Sequence, residues 1–246
     1  MKVCYSCSDK PIKNGVYKAH TEQILIQYFP KDNTHYHHKG ATSRIIHDLK
    51  PNTCIFYFAT HKRLITSPIL KFKDAYGDLS NSGVTKSDSK GNAKFFLDCP
   101  QVYISLNGNI YNRHIHYVYW DEKKKMWNTN LFTQPITCNV DSKFVTNHMN
   151  KCLLIDALPK EMYDKKHIKG AYNLPVNKRW SENDLKNAIK NKFGKFSKNV
   201  PIIVYCLNKS CTASTKVLKK IEKLGYKNVV DYENGIKGWK GSVVKN

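Results

Sequence analysis

Nowhere in the 246 residues do apolar side chains run on for the roughly 18 to 20 positions that a membrane-spanning helix needs. The opening MKVCYSCSDKPIKNG also lacks the apolar core of a secretory signal, so the expectation is a cytoplasmic chain with no membrane partner. Cysteine is scarce. Eight of them (Cys4, Cys7, Cys54, Cys99, Cys138, Cys152, Cys206 and Cys211) are too few for a disulfide scaffold and are expected to be mostly reduced. Any special cysteine is then a metal ligand or a nucleophile. Acidic residues are also scarce, 19 against 41 Lys and Arg, giving a net charge of +22. That excess is almost all lysine spread along the chain, so nucleic-acid binding is not assigned to it. What the chain does hold is 41% hydrophobic and 12% aromatic residues, enough for a core and against wholesale disorder or a collagen-like repeat.

The length favours two compact units over one large β-sandwich, and the patterning changes character near residue 150. Before it, short runs at Glu22 to Phe29 (EQILIQYF), Cys54 to Phe58 (CIFYF), Ala93 to Leu97 (AKFFL) and His114 to Trp120 (HIHYVYW) lie between Gly, Asn, Asp and Pro clusters. This spacing predicts an all-β sandwich over residues 1–140. After it, strand signals at Cys152 to Ile155, Ile202 to Tyr205 and Val229 to Val230 alternate with helix signals. Ser181 followed by Asp184 is a capping-box pattern opening a helix to Phe193. From about Ser210 to Leu224 the apolar residues Val217, Leu218, Ile221 and Leu224 share one helical face, and Gly225 stands where a left-handed cap belongs. Residues 152–246 therefore read as an α/β domain with a mainly parallel sheet. Charge is denser there: residues 1–150 hold 20 basic and 11 acidic residues, and residues 151–246 hold 21 and 8. That favours a small anionic substrate or an acidic partner.

The run VPIIVYCLNKSC, Val200 to Cys211, carries the chemistry. A buried strand ends at Tyr205, Cys206 sits at its carboxyl end, and a polar loop leads into a helix, which is where open α/β sheets bind ligands. Loop amides and the positive end of the helix favour a thiolate there, so Cys206 is expected to be a good nucleophile. A buried structural cysteine is the plain alternative.

Residues 152–240 resemble the rhodanese family almost end to end. The likeness rests on LLIDAL (Leu153 to Leu158), EMYDKKHIKGAYNLP (Glu161 to Pro175), VYC (Val204 to Cys206), LGYKNV (Leu224 to Val229) and NGIKGW (Asn234 to Trp239). It implies a sulfurtransferase in which Cys206 takes a sulfane sulfur as a persulfide and passes it to a thiol or cyanide. It also implies a substrate-contacting loop of Leu207, Asn208, Lys209, Ser210, Cys211 and Thr212, with no metal or cofactor. Lys209 is the loop cation nearest to hand for an anionic donor such as thiosulfate. His167 takes a framework role, and Asp156 holds backbone amides. Leu158 stands where many members carry Arg. The loop also has the length seen in the phosphatase branch of the fold but lacks that branch's closing Arg, which speaks against phosphatase activity. Cys211 stays open: a sulfur acceptor, a disulfide partner for Cys206, or a small residue at a helix start.

In the first domain RHIHY places His114 and His116 on one face of a strand, a spacing that suits a metal ion or ordinary packing. Asp74 to Tyr103 with His114 to Tyr117 resembles the sandwich of intradiol ring-cleaving dioxygenases, which hold iron with two tyrosines and two histidines. Tyr103, His114 and His116 fall near three of those positions; Asn81 lies about where the other tyrosine belongs, and Tyr76 is displaced from it. The reading is a shared architecture serving as a binding or interaction module, with a protein partner and no metal assigned. Cys4 and Cys7 form half a zinc knuckle without a second CxxC, and His35, His37 and His38 lie too far on to complete it. The competing reading for the whole chain is non-enzymatic: a rhodanese fold used for docking or regulation beside a ligand-binding sandwich.

Overall fold

The computed structural model describes residues 17–20, 26–38, 41–105 and 108–245. The chain divides into two compact units, one up to Ile136 and the other from Thr137 onward, with Ile65–Ser67 belonging to the second.

The first unit is built on β1 (Tyr17–His20), β2 (Tyr36–His37), β3 (Thr42–Ile46), β4 (Cys54–Phe58), β5 (Leu70–Lys71), α1 (Phe72–Tyr76), β6 (Ser82–Lys86), β7 (Ala93–Leu97), β8 (Tyr103–Ile104), β9 (Ile110–Tyr111), β10 (His114–Asp121), β11 (Met126–Trp127) and β12 (Asn130–Pro135). Six of these make one sheet in the order β1-β12-β10-β4-β6-β2, with β11 paired to β10. Every pairing in it is antiparallel.

The sheet is apolar on both faces. Phe56, Phe58, Val118 and Trp120 face one core with α1, while Ile55, Tyr57, Ile115 and Tyr117 face another with residues of β3 and β7. Full burial of one such side chain stabilises the fold by roughly 2 to 3 kcal/mol. This two-sided burial explains why CIFYF shows no polar alternation. It also corrects the sandwich expectation: among the described residues the rest are a two-stranded β3-β7 sheet and a three-stranded β5-β8-β9 sheet, so the unit is mostly antiparallel β without a clear second layer. The strand expected at Glu22 to Phe29 is a second correction, for Ile26 to Phe29 form a turn and the rest lies outside the described residues.

The second unit holds β13 (Asn139–Val140), α2 (Ser142–His148), β14 (Leu153–Asp156), α3 (Lys160–Lys165), β15 (His167–Ile168), β16 (Tyr172–Asn173), α4 (Glu182–Phe193), β17 (Ile202–Tyr205), α5 (Ala213–Lys223), β18 (Val229–Tyr232), α6 (Gly235–Gly238) and β19 (Val243–Val244). Its five-stranded sheet runs β13-β18-β17-β14-β16, parallel throughout. Ser181 caps α4 in a capping box with Asp184, and Gly194 closes that helix in the left-handed region at φ 72°. Helix α5 buries Val217, Leu218 and Ile221, and Gly225 follows its end at φ 93°.

Among the described residues no helix is long and apolar enough to cross a membrane. Among the described cysteines Cys54, Cys152, Cys206 and Cys211 are free, in keeping with mostly reduced thiols, while Cys99 and Cys138 are each disulfide-bonded. A linear sequence does not show which thiols the fold brings within bonding reach. Cys4 and Cys7 lie outside the described residues.

Candidate functional site

Strand β17 is buried along its whole length, and Cys206 follows directly, 2% exposed, at the carboxyl edge of the parallel sheet. Residues 207–212 then turn back into α5, whose first residues are Ala213 and Ser214. The loop is held from behind by α6. Ile236 donates its amide to the Cys206 carbonyl at 2.9 Å, and Lys237 donates to the Leu207 carbonyl at 3.0 Å. Gly235 makes this approach possible. Its φ is 58°, and a Cβ there would overlap the Cys206 carbonyl oxygen and crowd the Leu207 carbonyl. The NGIKGW segment is thus a clamp on the cysteine loop.

The Cys206 thiol donates to the Cys211 carbonyl at 3.2 Å and lies 3.3 Å from the Ser214 hydroxyl. Burial pushes this thiol above its ordinary range, the bond it shares with Cys211 adds to the rise, and Ser214 partly offsets both. The expectation of a ready thiolate at Cys206 is therefore corrected, because a carbonyl oxygen beside the sulfur favours S–H over S⁻. Cys211 behaves in the opposite way. Burial works against its thiolate, but the hydrogen bond from Cys206 and those from the backbone at Leu207 and Ala213 outweigh it and bring the thiol below its usual value. The two thiols thus shift in opposite directions, Cys206 up and Cys211 down.

Lys209, the cation nearest to hand in the sequence, has its ammonium 3.3 Å from a Glu233 carboxylate oxygen, so its charge is already partnered. Asn208 and Ser210 shape the turn: the Asn208 carbonyl accepts from the Cys211 amide at 3.0 Å, and its side chain accepts from the Ser210 amide at 3.1 Å. Thr212 precedes α5 and makes no side-chain cap.

Asp156, fully buried at the end of β14, accepts from the Leu158 amide at 2.8 Å, and burial raises its carboxyl to about 6. It holds backbone, as expected. His167 stacks on Tyr163 with ring centroids 3.7 Å apart, and its Nδ1 lies 2.8 Å from the Tyr163 carbonyl, the geometry of a framework residue. Ser214 and Gly235 are site residues that sequence reasoning missed. Ser214 is only the second residue of a helix, while Gly235 was visible as the NG of NGIKGW.

In the first unit, His38 lies 3.3 Å from Asp98. Asn81 takes no part near the histidines: its side chain donates to the Thr60 and Asp98 carbonyls and accepts from the Asp98 amide. Tyr76, at the end of α1, is the residue brought onto His114 and His116.

Residues 142–242 match the family model of the rhodanese-like domain, and this part of the chain is a rhodanese-like domain. No curated protein matches the chain. Among solved structures, a Bacillus halodurans protein is similar at 24% identity over 44% of this chain and 77% of its own, with a TM-score of 0.36. A rhodanese-like domain protein from Staphylococcus aureus is similar at 18% identity over 45% of this chain and 99% of its own, TM-score 0.33. A rhodanese-related protein from Thermoplasma volcanium is similar at 17% over 44% and 97%, TM-score 0.32.

Proposed function

We propose that the rhodanese-like domain is a sulfurtransferase that carries sulfane sulfur on Cys206. The observation that carries this reading is the place of Cys206: a free thiol at the carboxyl end of the parallel strand β17, on the loop that leads into α5, donating to the Cys211 carbonyl at 3.2 Å and 3.3 Å from the Ser214 hydroxyl. As a persulfide donor RSSH enters, the Cys206 proton passes to Cys211. The Cys206 thiolate attacks the terminal sulfur of the donor, a Cys206 S–S bond forms, the donor's S–S bond breaks, and RS⁻ leaves. An acceptor thiolate or cyanide then attacks the outer sulfur and regenerates Cys206 as thiolate. Splitting the transfer into two displacements is covalent catalysis, and the amides at the start of α5 suit the anionic outer sulfur.

With Lys209 engaged by Glu233 and no Arg in residues 207–212, the donor this loop suits is a thiol persulfide more than thiosulfate. Thiocyanate formation from cyanide and a thiol persulfide tests the reading. Wild type should turn over, and Cys206→Ser should lose roughly 10³-fold or more. Equal rates in the two proteins contradict it.

The burial of Cys206 favours a second reading, a docking module in which this cysteine packs and does not react. That reading predicts no sulfur uptake from either donor class.

A further inference from the structure

The tyrosine–histidine cluster of Tyr76, Tyr103, His114 and His116 packs on one face of the main sheet, beside Phe58 and Phe72. Toward the other face, where β10 ends and β12 begins, lies an open cavity of about 690 Å³ that belongs wholly to the first unit. That volume is within the range of about 300 to 1,000 Å³ in which proteins hold organic ligands. Two of its walls are neighbouring strands. β10 and β12 pair antiparallel with Tyr117 opposite Phe132, so strand alternation puts Tyr119 and Asp121 of β10 on the same face as Phe132 and Asn130 of β12. The remaining wall is the segment leading into β4, with Lys50 and Asn52.

The two rings make an apolar floor. Phe132 stacks on Tyr117 with centroids 5.2 Å apart, and Tyr119 stands edge-on to Phe132 at 5.3 Å, so both rings are fixed by the core beneath them while staying half-buried. The polar groups around them are fixed as well, with capacity to spare. Asp121 accepts from the Lys123 and Lys124 amides at 3.0 and 3.1 Å, both through Oδ1, and these bonds hold its carboxyl below the usual range, leaving Oδ2 as an ionised acceptor. Asn128 accepts from the Asn130 amide at 2.8 Å through Oδ1, which leaves its Nδ2 hydrogens to donate. The third wall is tied down from two sides. The Tyr119 hydroxyl accepts from the Lys50 amide at 3.0 Å, and Ser87 donates to the Lys50 carbonyl at 2.6 Å and accepts from the Thr53 amide at 3.0 Å. Between those anchors Asn52 adopts the left-handed backbone, φ 52°, that Asn tolerates better than most residues.

In a chain of net charge +22 this lining is balanced, Lys50 and Lys123 standing against Asp121 and Glu122. A polyanion gains no net attraction from it, and a wholly apolar ligand would strip water from amides and a carboxylate without replacing it. A ligand with one apolar face and a hydroxyl-bearing edge meets both demands: its C–H face lies on the rings, and its hydroxyls donate to the carboxylate and exchange hydrogen bonds with the amides. We propose that this cavity binds a neutral oligosaccharide, one sugar ring lying over Phe132 and Tyr119 with its hydroxyls on Asp121, Asn128, Asn130 and Asn52. Binding makes and breaks no covalent bond and is independent of the sulfur chemistry of the second unit.

The full-length protein, titrated by calorimetry with cellopentaose, maltopentaose, mannopentaose and chitopentaose to millimolar concentration, should bind at least one of them, with an affinity that salt does not weaken. Asp121→Asn turns the free acceptor into a donor, and Asn52→Gly keeps the left-handed backbone while removing the side-chain amide. Each should weaken that affinity about tenfold. Lys62→Ala, a surface change outside the cavity, and Cys206→Ser should leave it unchanged, and circular dichroism checks that each variant folds. No binding of any of the four sugars, a sugar affinity that survives both cavity substitutions, or binding of ATP or of a short apolar peptide in the sugars' place that the same substitutions abolish would each overturn the assignment.

Discussion

The Cys206 loop and the tyrosine–histidine cluster are both buried polar sites in apolar surroundings, yet they are held in opposite ways. The loop is a contiguous stretch between a strand end and a helix start, and most of its fastening is backbone: carbonyls of Cys206 and Leu207 taken up by amides of α6. The cluster is fastened by side chains from three separate elements, with a fourth, β12, supplying Thr133 behind His116. A backbone-held site depends on which residues can adopt the required turn. A side-chain-held site depends on the packing of distant elements.

The sharpest way to break this contrast is Gly235→Ala. A left-handed φ combined with overlap on the Cys206 carbonyl should cost the second unit about 3 kcal/mol and displace the loop, while the stability of the first unit stays unchanged. Denaturant unfolding, followed alongside the alkylation rate of Cys206, would show both effects. Unaltered stability would mean that α6 is not the clamp.

Legibility in the sequence follows the same division. The second unit's motifs are contiguous, so the strand ending at Tyr205, the capping box at Ser181 and the cysteine's place at the sheet edge could all be read directly. The charge distribution within the loop could not, because a carbonyl turned toward Cys206 and amides turned toward Cys211 are matters of backbone direction. In the first unit the His114–His116 alternation was visible. Tyr76 showed only as a tyrosine displaced from the expected place, since a position nearly 40 residues upstream joins the histidines only when α1 packs under the main sheet. The sandwich expectation failed for a related reason: a strand buried on both faces and one buried in a two-layer sandwich core give the same apolar run.

Asp156 sharpens the account of the backbone-held side. Its carboxyl sits at about 6 in the fold against an ordinary 3.8. The folded protein therefore keeps this proton where the unfolded chain has lost it, so stability falls as pH rises from about 4 to about 6 and then levels off. The shift corresponds to about 3 kcal/mol. Asp156→Asn retains an acceptor for the Leu158 amide, and its stability advantage over wild type should grow by that amount between pH 4 and pH 7 in urea unfolding. A difference that does not vary with pH would contradict the buried-carboxyl argument.

The smallest expected effect concerns Cys211. Because the bond it shares with Cys211 adds to the rise of the Cys206 thiol, Cys211→Ser should move the pH profile of Cys206 alkylation downward without changing the fold. A profile that stays in place would reduce Cys211 to a small residue at a helix start.

The central claim, sulfur carried on Cys206, is tested most directly by intact mass after incubation with a thiol persulfide, for wild type and Cys206→Ser side by side. The account predicts that wild type gains one sulfur atom, that cyanide removes it, and that the variant gains none. No adduct on wild type, or the same adduct on both proteins, would contradict it.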